Sequence, residues 1–274
     1  MTAADRREQV QPIEPPYLLT AIINRRGVGV AVTGDASITV VEVAVHGQWS
    51  QRLGEQVSAG LRLCLAGPSV SIIIDLQHMD DTYGVSMPFW LAAWRQARLA
   101  LSPVHLAFCL STTTALSRRL RHLQGPQPRV FATVPEARIA IAERLSRADR
   151  LQARLAPRPA SIGTARNLVR QACRAWHLPQ LLDDTSLIVS ELATNAVEHA
   201  RTDFIVTVSR GGTRLHVAVH DGVPRFPHPS KPALIGPQAS LAERGRGLRL
   251  VHRVAAAWGA MPTRGGKVVW ATVK

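Results

Sequence analysis

The chain has 274 residues, of which 46% are hydrophobic and 5% aromatic. That is enough for two domains with largely aliphatic cores. No stretch approaches the roughly 20 uncharged apolar residues of a membrane-crossing helix. The first residues, MTAADRREQVQPIEPP, are polar and lack the apolar middle of a secretory signal, so the expectation is a cytoplasmic protein. The net charge is +14, from 33 basic and 19 acidic residues. It divides unevenly, +4 over residues 1–150 and +10 over 151–274. A localised excess suits an anionic partner such as a nucleotide, an acidic protein or nucleic acid; Arg-rich coding bias explains it equally well. Basic residues do not alternate with aromatics, so no nucleic-acid platform is indicated. Cys64, Cys109 and Cys173 are odd in number, widely spaced and set among apolar neighbours, which argues for small core residues and against disulfides or zinc.

Residues 1–36 read as a disordered or irregular leader. Beyond them, β-branched runs at 38–45 and 70–76 predict strands, the second apolar enough to be central. Residues 51–66 between them predict an amphipathic helix. After the turn MDDTYG the pattern predicts a helix at 85–101, a strand at 104–110, a helix at 116–123, a strand at 130–131 and a helix at 135–145. This alternation indicates an α/β layer domain over 37–146. Residues 147–160, charged and ending in prolines, read as a linker.

The second domain is expected over 161–274. Ser161 is a plausible N-cap for a helix at 161–176. A second helix is expected at 184–200. Strands at 204–208 and 214–220 flank Gly211-Gly212, a hairpin signal. The Pro-rich stretch 224–240 reads as a loop, 247–258 as a helix and 267–273 as a last strand.

Three features of this half carry chemistry. On the helix at 184–200, Val189, Leu192, Ala193, Ala196, Val197 and Ala200 form an apolar stripe, while Glu191, Asn195 and His199 follow one another at four-residue spacing on another ridge. A carboxylate and a carboxamide so placed can order a divalent cation beside a phosphate chain; taken alone, the ridge also fits a solvated face. Asp221 ends the apolar strand VAVHD, where its carboxylate can accept from a purine amine or simply form a turn with Gly222. Gly245-Arg246-Gly247-Leu248 opens a helix, so backbone N–H groups and the helix dipole can meet phosphates there, or the glycines can serve as a flexible loop end.

The order and spacing of these features resemble the ATP-binding domain shared by sensor histidine kinases, gyrases and anti-sigma-factor serine kinases, most closely the last. The residues that carry the likeness are SELATNAVEHA at 190–200, VHDGVP at 219–224, GRGL at 245–248, Trp258-Gly259, Gly266-Lys267 and Val269-Trp270. The resemblance implies that Asn195 holds Mg²⁺, that Glu191 is the general base, and that Asp221 binds the adenine amine. It implies that Gly245 and Gly247 line the phosphates, with His199, Gly222, Arg246 and Leu248 around the nucleotide and 227–243 as a lid. Gly222-Val223-Pro224 stands where many members have a further Gly-x-Gly. Residues 151–274 alone are expected to bind ATP with Mg²⁺.

The first domain resembles the sulfate-transporter and anti-sigma-antagonist (STAS) domain through residues 41–47, VSIIIDLQHMDDTYG and HLAFCL. The resemblance implies a phosphoacceptor at Thr82, in Asp81-Thr82-Tyr83-Gly84; Tyr83 replaces a second hydroxyl. The expected fold class is therefore α/β in two domains, a STAS-like sheet flanked by helices and then a GHKL (Bergerat) α/β sandwich. The expected function is an ATP-binding, anti-sigma-type protein serine/threonine kinase of partner-switching signalling. The alternative is an ATP-sensing module that sequesters a partner without phosphoryl transfer. The expected cofactors are ATP and Mg²⁺. The expected partner is a sigma factor or an anti-sigma-factor antagonist, with a homodimer left open and neither nucleic acid nor membrane.

Overall fold

A computed structural model describes residues 15–19, 21–24, 27–36, 39–99, 103–143, 149–226 and 247–274. They form two six-stranded sheets. The first holds β2 (Ile22–Ile23), β3 (Gly29–Gly34), β4 (Val40–Gln48), β5 (Ser71–Asp80), β6 (His105–Cys109) and β7 (Arg129–Phe131), in that order. Strands β2 to β4 pair antiparallel and β4 to β7 parallel. Helices α1 (Gln51–Ala66), α2 (Met87–Leu99) and α3 (Ala115–Arg121) make the crossovers, and α4 (Val134–Ala142) follows the last strand. Their starts are written locally: Ser50, Thr114 and Thr133 accept from the backbone N–H three residues on, at 3.3, 3.1 and 3.4 Å, the usual N-cap bond. β5 is buried along Ser71–Leu76, as a central parallel strand should be.

The second sheet has the order β1-β11-β12-β10-β9-β8, with β1 Tyr17–Leu18, β8 Arg150–Leu155, β9 Phe204–Gly211, β10 Arg214–Asp221, β11 Ala257–Thr263 and β12 Gly266–Val273. α5 (Pro159–Ala175), α6 (Leu182–Asn195) and α7 (Gly247–Val254) pack on one face. Every residue of β12 is buried, because the two faces have different covers. Val269, Ala271 and Val273 meet the helices. Val268 and Trp270, with Ala218 and Met261, join the core of the first domain beside β3, β4 and α1. Polar links reinforce that seam. Glu42 of β4 is paired with Arg138 and lies 3.8 Å from Arg264 of the β11–β12 turn, and Arg150 donates to Thr39 Oγ1 at 3.2 Å.

Several expectations change. The irregular leader contains three strands. One of them, β1, crosses to the second sheet and pairs parallel with β11, Tyr17 opposite Gly259; residues 1–14 lie outside the described residues. The linker expected at 147–160 contains β8, an edge strand antiparallel to β9. Ser161 is not the N-cap of α5: Arg158 is, and Ser161 Oγ donates to the carbonyl of Ala156 at 2.7 Å. The helix expected to run to 258 ends at Val254, and β11 follows. These additions complete a two-domain α/β arrangement.

Candidate functional site

Asp221 closes β10 directly opposite Lys267 of β12. Alternation puts both on the helix-facing side with Val219 and Val269. Asp221 is 3% exposed and Lys267 8%, and a buried carboxylate at that depth requires partners. Its Oδ1 accepts from the Val223 N–H at 2.9 Å and from Lys267 Nζ at 2.8 Å. Lys267 Nζ also donates to the Val223 carbonyl at 3.1 Å. The strands approach closely here. Gly266 has φ +153°, and a Cβ on it would overlap the Asp221 carbonyl. Gly222 donates its N–H to Thr202 Oγ1 at 3.0 Å, which stitches the end of β10 to the segment leaving α6.

α6 supplies the opposite wall. Its apolar face buries Ile188, Val189, Leu192 and Ala193. Glu191 is only partly buried, yet burial raises its pKa, and the nearby Glu198 carboxylate raises it further. Asn195 ends the α-helix, and its Nδ2 is buried with no hydrogen-bond partner among the described residues. Ala196–Ala200 continue as a π-turn, closed by the Arg201 N–H on the Ala196 carbonyl at 3.0 Å. A straight helix would stack His199 above Asn195. The wider turn breaks that ridge, His199 is exposed, and the charge that reaches Glu191 comes from Glu198.

α7 begins at Gly247, against Glu191: a Cβ on Gly247 would overlap Oε2. Leu248 is 6% exposed and packs into the core of the second domain, so its side chain serves the fold, leaving its backbone for any ligand contact. Gly245 and Arg246, and the expected lid at 227–243, lie outside the described residues. The structure thus brings Glu191 to Gly247 and Asp221 to Lys267, and leaves His199 on the surface. Lys267 and Thr202 were not assigned a role from the sequence. Lys267 partners a residue 46 positions away, and only the register of β10 on β12 reveals the pair. A separate cavity of about 370 Å³, lined by Pro16, Leu248, Arg249, His252, Arg253 and Trp258, shares only Leu248 with these groups.

An implied Mg²⁺ fits this donor set to a limited degree. No group of three or more His, Cys, Asp or Glu occurs among the described residues, so a cation would rely on one side-chain oxygen and on phosphates. Asn195, whose Nδ2 is buried and without a partner among the described residues, is the side chain that would offer that oxygen. Among the described residues no helix is long and apolar enough to cross a membrane.

Residues 155–273 match the family model described as histidine kinase-like ATPase domain. No curated protein sequence matches the chain. Two solved structures are similar in part. The RsbU and RsbW domains of a Mycobacterium tuberculosis protein match at 17% identity over 46% of this chain and 32% of that one, with a TM-score of 0.35. An anti-sigma factor antagonist from Mycobacterium paratuberculosis matches at 17% identity over 47% of this chain and 99% of that one, with a TM-score of 0.34. This chain spans about a third of the length of the first. The segment that carries the Asp221–Lys267 pair and the Glu191–Gly247 contact, residues 155–273, is a histidine kinase-like ATPase domain.

Proposed function

We propose that this protein binds ATP in its second domain and acts as a protein serine/threonine kinase of partner-switching type, with a sigma factor or an anti-sigma-factor antagonist as its protein partner. The observation that carries the reading is the contact of Glu191 with Gly247. It sets a carboxylate of raised basicity beside the backbone that opens α7, where phosphates are favoured. Phosphoryl transfer asks mainly for positioning and charge neutralisation. Asp221 would fix the base. Glu191 would take the proton of an acceptor hydroxyl as its oxygen bonds to the γ-phosphorus and ADP departs. Mg²⁺, held by Asn195 Oδ1 and phosphate oxygens, would supply charge neutralisation. The first domain, antagonist-like in its turn at Asp81–Gly84, would regulate in cis or carry the phosphoacceptor Thr82.

A second reading keeps the nucleotide and drops the transfer: an ATP-sensing module that sequesters its partner. It draws on the same site, with Glu191 reduced to a polar wall. Incubation of the full chain with γ-labelled ATP and Mg²⁺, alone and with candidate antagonist proteins, separates the two. Label on a partner or on this chain supports the kinase. Bound ATP that alters partner affinity without label supports the module. Asn195→Ala should remove the Mg²⁺ dependence of ATP affinity in either case, and calorimetry with and without Mg²⁺ reads it.

A further inference from the structure

The buried pair at the base end of the site is incompletely matched. Lys267 Nζ has three protons, and two are used, on Asp221 Oδ1 and the Val223 carbonyl. Asp221 Oδ1 accepts twice, while Oδ2 has no partner among the described residues. The pair therefore leaves one donor and one acceptor side by side, in a place where the two side chains are 10% and 4% exposed. Oδ2 is not among the enclosed side-chain atoms that lack a partner, so it opens to space where water or a ligand can meet it. The charges of the pair cancel, so the place suits a neutral ligand edge rather than another ion.

The geometry points to Lys267 as a specificity-determining residue that reads the nucleobase together with Asp221. An adenine offers an amine donor at position 6 and a ring-nitrogen acceptor at position 1. The amine donates to Asp221 Oδ2, and N1 accepts from the third proton of Lys267. Guanine reverses both, with an acceptor at position 6 and an N–H at position 1, so it meets the carboxylate oxygen to oxygen and the ammonium proton to proton. A Lys267 that only braced the ends of β10 and β12 would be indifferent to position 1. This inference rests on nucleotide binding by the second domain and deepens it.

The test is calorimetry on the full chain with ATP, 1-deaza-ATP and GTP, on wild type and Lys267→Met. 1-Deaza-ATP keeps the amine and replaces N1 with C–H. The wild type is expected to bind it roughly 10- to 100-fold more weakly than ATP, the scale of a lost charge-assisted hydrogen bond, and GTP more weakly still. Lys267→Met is expected to bind ATP and 1-deaza-ATP alike. Equal wild-type affinity for the two overturns the assignment without any variant needing to fold. Undiminished discrimination in Lys267→Met overturns it too. If the wild type binds no nucleotide at all, the reading on which it rests fails instead.

Discussion

Gly247 has no room for a Cβ because Oε2 of Glu191 occupies its place. The first residue of α7 and the middle of α6 are 56 positions apart, and the absence of one carbon lets backbone and carboxylate meet. Gly247→Ala is expected to displace the Glu191 carboxyl group, the mobile end of a long side chain, and so to leave the melting temperature within a few degrees. Phosphoryl transfer should fall at least tenfold, since small displacements of positioned groups are expensive in rate. Labelled-ATP assays beside thermal unfolding check both; full activity in a well-folded variant would mean the contact has no role in the chemistry.

The second domain does not stand alone as the sequence suggests. Met261, Val268 and Trp270 are fully buried against the first domain, and β1 closes the sheet edge at β11. A fragment of residues 151–274 would expose that face. At about 1.5–3 kcal/mol for each large apolar side chain, the loss is on the order of 5 kcal/mol, comparable with the whole stability of a small domain. The fragment is expected to aggregate or melt well below the full chain, as light scattering and calorimetry would show. A soluble fragment with unchanged melting would contradict the packing.

How much of this was legible depends on the range of the interactions. α1 lies at Gln51–Ala66, where the spacing of Leu53, Val57, Leu61 and Cys64 places it. The strand ending in Asp221 shows equally clearly in the sequence. β8 is hidden because Arg150, Gln152 and Arg154 alternate along it, the last two exposed; charge on an edge strand blocks unwanted pairing and also imitates a linker. β11 is hidden because Trp258 extends the apolar pattern of α7, while Gly259 and Pro262 read as breakers. Gly259 is in fact where Tyr17 approaches, its Cβ position blocked by the Tyr17 carbonyl. The π-turn at Ala196–Ala200 has no local sequence signal, so a uniform helical period misplaces His199. The Asp221–Lys267 pair needs the register of two strands.

His216 is the clearest stability probe. Burial, with a contribution from Arg214, lowers its pKa to about 4 from an ordinary 6.5, and its Nδ1 lies 2.9 Å from Thr272 Oγ1. Because the folded value lies below the unfolded one, the folded state disfavours the proton. Its contribution is full above about pH 6.5 and is lost as pH falls toward 4. At pH 5 the loss is about 2 kcal/mol by linkage. Urea unfolding of wild type and His216→Gln at pH 7 and pH 5 should show a smaller acid loss in the variant; identical losses would show that His216 does not drive it.

Thr82 is exposed, and its Oγ1 donates to Asp80 Oδ1 at 3.1 Å. Asp81 accepts from the Val85 and Ser86 N–H groups at 2.8 and 3.0 Å. A phosphate on Thr82 removes the donated proton and adds about −1.5 to −2 of charge beside two carboxylates. It should loosen the turn and alter the surface flanked by Tyr83 and Val85, 77% and 62% exposed. After incubation with ATP and Mg²⁺, mass spectrometry is expected to find phosphate on Thr82 and none in Thr82→Ala. Labelling that persists unchanged in the variant refutes the site.

Glu191 separates the kinase from the binding module. Glu191→Gln keeps the shape beside Gly247 and removes the basicity, so ATP affinity should hold while transfer drops by ~10²–10⁴-fold. In the kinase reading the carboxylate form would be the active one. Its pKa is raised, first by burial and then by Glu198, so transfer should climb with pH through a value above that of an ordinary glutamate. Glu198→Gln removes the second cause and leaves the first; the acid limb should then move to lower pH with its plateau unchanged. A steric wall at position 191 would show neither the limb nor its displacement. Transfer unaffected in Glu191→Gln would place the base elsewhere, and no transfer in the wild type, with ATP still changing partner affinity, would assign the protein to the sensing module.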